Sequence, residues 1–120
     1  MPPPSPLVIA TGAVTRLLKE EASYHKELQE QEAKVKAQEE KIQSGQDDEE
    51  GNATYILKQH QMVVEQTRAV FKPLRNRINQ AVEKLEDLVA AEEKGGSASE
   101  EELANAKAAL EKAKAENASA

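Results

Sequence analysis

Mostly apolar residues mark out a stripe along the first third of the chain in alternating steps of three and four, interrupted by the polar Glu21, Gln31 and Gln38: Leu7, Ala10, Val14, Leu17, Glu21, Tyr24, Leu28, Gln31, Val35, Gln38, Ile42. That spacing keeps one stripe on one side of a helix for about five heptads. Ser5 is placed to cap the start, and Pro6 falls at the first helical position, where its missing N–H costs nothing. Gly12 lies off the stripe and is tolerated there. Ser44 and Gly45 end the segment, which predicts a helix over 6–44 after a disordered start at 1–5. A second stripe follows: Leu57, His60, Val64, Thr67, Phe71, Leu74, Ile78, Ala81, Leu85, Leu88. It predicts a helix over 53–93, separated from the first by an acidic loop at 45–52.

Pro73 stands inside the second stripe, between Phe71 and Leu74. A proline in a helix interior costs roughly 3 kcal/mol, so the chain either stops there or bends. The three-four phase is the same before and after Pro73, and Pro73 lies off the stripe. One continuous helix is expected, kinked between Ala69 and Pro73 with the proline as cause. Two collinear helices with a short break are the alternative. Residues 94–98 then read as a linker. Ser99 and Glu102 form an S-x-x-E capping box ahead of a shorter helix over 99–116, with Leu103, Ala106, Leu110 and Ala113 on a narrow stripe. Residues 117–120 are expected to fray.

The predicted fold is therefore all-α, a single domain. It is an antiparallel three-helix bundle or coiled-coil rod with two long helices, about 60 Å each at 1.5 Å per residue, and a shorter third. The third helix would thicken only one end. Gln31, Gln38, His60 and Thr67 fall on the stripes toward the thinner end, where water could reach them. Glu21 lies at the thicker end, either paired with Arg77 across the helices or extended to solvent.

Composition supports this picture. Aromatics are 2% of the 120 residues and charged residues 32%, a mixture suited to long surface-rich helices. There is no cysteine, so no thiol chemistry or disulfide is available. The start has neither the basic region nor the apolar length of a signal peptide, and no apolar run is long enough to span a membrane, so an intracellular protein is expected. The two N-x-S/T sequons, at Asn52 and Asn117, then read as chance matches. A net charge of −6 argues against general nucleic-acid binding. His25 and His60 are the only histidines, too few for a zinc site, and no phosphate loop or nucleophile motif occurs. No catalytic residue, cofactor or metal is expected, and no enzyme.

Surface features remain. Ile56, Val63, Val70, Val82 and Val89 flank the second stripe, and either widen the buried seam or face a partner. Arg68, Lys72 and Arg75, with Arg77 and Lys84 nearby, make a basic band beside Pro73. It is either a solvated face or a surface that steers an acidic partner.

In combination these residues resemble the tubulin-binding cofactor A family. The carriers are Arg16-Leu17, Lys19-Glu20, Tyr24, Glu27 and Gln31-Glu32 on the first helix, an acidic loop followed by Tyr55, and then Arg68, Val70, Phe71 and Pro73. The similarity spans about residues 6 to 115. It implies a cytoplasmic, cytoskeleton-associated chaperone that binds β-tubulin released from the chaperonin and holds it for heterodimer assembly, as a monomer or weak homodimer. Arg16, Lys19, Glu20, Tyr24, Glu32, Arg68, Lys72, Arg75 and Arg77 are the candidate partner-binding residues, and Phe71, Leu74, Ile78 and Pro73 the structural ones. A scaffold coiled coil is the alternative function. A prefoldin-type subunit is disfavoured, because residues 45–52 are too few for that fold's hairpins.

Overall fold

A computed structural model describes residues 3–45 and 51–119. The expected acidic loop lies mostly at 46–50, outside the described residues, as do Met1, Pro2 and Ala120. The described residues form three helices: α1 (Pro6–Gln43), α2 (Ala53–Glu93) and α3 (Glu100–Ser119). Among the described residues there is no strand. The architecture is the all-α bundle that the stripes predict.

The helix ends form where the sequence supplies caps. The Ser5 hydroxyl accepts the Val8 N–H at 3.2 Å, satisfying one of the orphan donors of α1. The box ahead of α3 closes reciprocally: Glu102 N–H donates to Ser99 Oγ at 3.1 Å, and Ser99 N–H to Glu102 Oε1 at 3.2 Å. Helix α3 continues past Glu116 to Ser119. Gly45, at φ 70°, ends α1 in the left-handed region, as a glycine does at low cost. At the α2–α3 turn Gly96 has a packing role, since a Cβ there would come within 2.8 Å of the Glu92 Cα. The Glu92 carboxylate in turn accepts the Ala98 N–H at 3.0 Å.

Helix α2 runs through Pro73 without a break, so the two-helix alternative falls. Pro73 has no N–H for the Ala69 carbonyl, and a bend opening at that carbonyl is expected.

The chain packs as two compact units, divided between Glu20 and Glu21 on α1 and between Pro73 and Leu74 on α2. The first unit joins the start of α1, the later half of α2 and all of α3. Its core holds Leu7, Val14, Leu18, Ile78 and Leu85, each no more than 1% exposed, with Leu74, Val89 and the small Ala106, Ala109 and Ala113. Leu18 lies beside the predicted stripe, not on it. In a unit of three helix segments each helix meets two neighbours, so its apolar face is wider than a two-position seam. Val89 is buried and Val82 half-buried for the same reason.

The second unit is a two-helix hairpin of the later α1 and the earlier α2, antiparallel by its contacts. Its stripe is half-buried at Tyr24, Leu28, Gln31, Val35, Leu57, His60 and Phe71, and fully buried at Val64. Two expectations need correction here. Gln38 and Thr67 are buried at 8% and 7% exposure, where a thin hairpin was expected to leave them wet. For Gln38 the reason is a hydrogen bond: its Nε2 donates at 3.0 Å to the carbonyl of Ala53, itself buried at the first turn of α2. Glu21 is also buried, so its extension to solvent is excluded, while Arg77 is exposed. Gln38→Ala removes the buried amide and is expected to cost roughly 1–2 kcal/mol, read as a lower urea midpoint at unchanged slope.

Candidate functional site

Among the described residues no three His, Asp or Glu side chains come together as metal ligands, and no helix is long and apolar enough to cross a membrane. What the hairpin unit offers is surface, and its two sides differ.

One side is charged and internally paired. Arg68 on α2 donates to Glu32 on α1 at 2.9 Å and to Glu65, one turn earlier on its own helix, at 3.0 Å. The hydrogen bond to Glu32 is the main cause raising the Arg68 pKa further above its ordinary value, so the guanidinium stays charged at any working pH. A groove of about 400 Å³ runs beside this pair, with Val35 and Val64 among its lining. Two of its lining carboxylates, Glu32 and Glu65, pair with Arg68, and the Glu32 pair bridges the two helices along this groove.

Aromatic packing ties the same two helices together. Phe71 stands edge-on to Tyr24 with ring centroids 6.4 Å apart, and stacks on His25 at 4.5 Å with the planes 29° apart. Both geometries are favoured by the ring quadrupole. Sequence reasoning placed Tyr24 and Phe71 on the stripes but missed His25. The signal was its position next to Tyr24, within reach of a large flat partner on the facing helix.

The candidate partner-binding residues therefore separate. Glu32 and Arg68 meet each other, and Tyr24 is half-buried against Phe71. Lys72 is exposed in the hairpin unit. Arg16 and Lys19 are exposed on the first unit's part of α1 and Glu20 is half-buried there; on that unit's part of α2, Arg77 is exposed and Arg75 half-buried. Of the flanking apolar residues, Val82 and Val89 are absorbed into the first unit. Ile56 and Val63 remain 40% exposed on the hairpin, beside Tyr55 at 62% and Met62 at 53%.

The hairpin thus combines an ion pair that bridges its two helices with an exposed apolar surface. The model of one family, tubulin binding cofactor A, matches residues 2–110. The chain belongs to that family. No curated protein and no solved structure matches it. Cofactor A proteins are a tubulin-binding, not an enzymatic, family, and the match takes in α1, α2 and the first half of α3. Every candidate residue named above lies within the matched span.

Proposed function

We propose that this protein is a cytoplasmic folding cofactor that binds β-tubulin released from the chaperonin and holds it until heterodimer assembly. The observation that carries the reading is the family match over residues 2–110. Holding a partner needs complementary surface, and the exposed residues of α1 and α2 supply it. The exposed cations Arg16, Lys19, Lys72 and Arg77 contribute long-range attraction to an acidic partner, and this acts mainly on the association rate. Arg68 and Glu32 act indirectly, by keeping α1 and α2 in register.

The test is capture of β-tubulin from cytosol by the immobilised chain, followed by association kinetics with purified β-tubulin. Lys72→Glu with Arg77→Glu is expected to slow association several-fold at low salt, with the difference shrinking as salt rises. Absence of β-tubulin from the wild-type capture would remove the reading.

A further inference from the structure

Between Tyr55 and Pro73, α2 sorts its side chains into rows seven residues apart. Tyr55, Met62 and Ala69 form one row. Ile56, Val63 and Val70 form a second, and Gln59 and Gln66 lie between them. All eight are exposed except the half-buried Val70. At 3.6 residues per turn they cover about 140° of the helix circumference without a single charge. Every charged residue of the stretch, Lys58, Glu65, Arg68 and Lys72, falls on the other flank. In a chain with 32% charged residues, a solvent-facing helix surface four turns long would ordinarily carry several. The later part of α2 does carry them, with Arg77, Lys84 and Asp87 exposed.

Resting on the function proposed above, we infer that this uncharged face is the docking surface for β-tubulin, which meets it with an apolar, uncharged surface of its own. Two arguments fix the occupant. A face without charge excludes a charged counterpart, because a charge brought against Met62 and Val63 would lose its water and gain no partner. A second copy of the chain is too small a match. The face is about 24 Å long and about 10 Å wide, so two copies would bury on the order of 500 Å² in total. A stable dimer needs about 1,200–2,000 Å². A larger partner can cover this face and continue beyond it. The basic residues then attract the partner, and the uncharged face retains it.

The experiment compares wild type with Tyr55→Glu/Met62→Glu in titrations of fluorescently labelled β-tubulin. Helicity, melting and sedimentation are measured on the same samples. Both substituted positions are exposed, so helicity and melting should match wild type, while affinity should fall at least tenfold, mainly through faster dissociation. Should the charged variant melt early, Tyr55→Gln/Met62→Gln replaces it, with a several-fold loss expected. Wild-type binding that neither variant weakens overturns the docking face and leaves the proposed function standing. Failure of the wild type to bind β-tubulin overturns both. A wild-type dimer that becomes monomeric in the variant, with β-tubulin binding intact, overturns the assignment in favour of self-association.

Discussion

Ile78→Asp is expected to destabilise the three-helix unit by about 4 kcal/mol or more, enough to remove most of its helical signal near room temperature. Ile78 is 0% exposed and shares its core with Val14, Leu18 and Leu85. Two costs combine. The branched side chain is lost from a close-packed site, and a carboxylate enters a place with no water and no designed partner. Native domains are stable by only about 5–15 kcal/mol, so one such change consumes a large share. Ile78→Asn separates the two costs, because it has the shape without the charge. The pH dependence follows from linkage. Burial raises the folded-state pKa of the introduced carboxyl above its unfolded value. The charge penalty is then fully present above the folded pKa, and it shrinks as pH falls toward the unfolded one. Chemical denaturation of the Asp and Asn variants at pH 7 and pH 5 measures this, each taken relative to wild type at the same pH. The gap between the two variants should narrow at the lower pH. Equal melting of Ile78→Asp and wild type would refute the burial of this position.

Much of this architecture is legible in the residues because helical burial is periodic. The three-four phase locates both long helices and carries α2 through Pro73, and Ser5, Ser99 and Glu102 mark ends by chemistry that acts over one turn. What the period does not reveal is how wide the buried face becomes when a third segment packs beside it. Leu18 and Ala109 are buried off the stripes, and Val89 joins the core while the chemically identical Val63 stays exposed. Long-range polar contacts are equally hidden. Gln38 reads as a wet seam residue, because nothing local announces the Ala53 carbonyl 15 residues away. For the candidate surface, residue type located the charges of the basic band. It could not show that Arg68 is held by Glu32 and Glu65, or that Tyr24 is turned against Phe71. The uncharged face of α2 was half visible, in Ile56, Val63 and Val70. Tyr55 and Met62 complete it only once the buried side of the helix is known.

Leu18→Ala is expected to cost about 2–4 kcal/mol, whereas Ile42→Ala, at a position on the heptad stripe, costs less than about 1 kcal/mol. The reversal comes from burial. Leu18 is 1% exposed, beside Leu17 in the core of the three-helix unit. Truncation there loses the transfer energy of three carbons and leaves a cavity that helices held by Leu7, Val14 and Leu85 can only partly close. Ile42 is 37% exposed at the last turn of α1, where Gly45 already ends the helix. Water reaches much of its side chain in the folded state, so its removal changes little between folded and unfolded chains. Urea unfolding followed by circular dichroism measures both on one scale. A larger loss for Ile42→Ala than for Leu18→Ala would mean that a simple two-position seam, and not the wider three-helix face, carries the stability of α1.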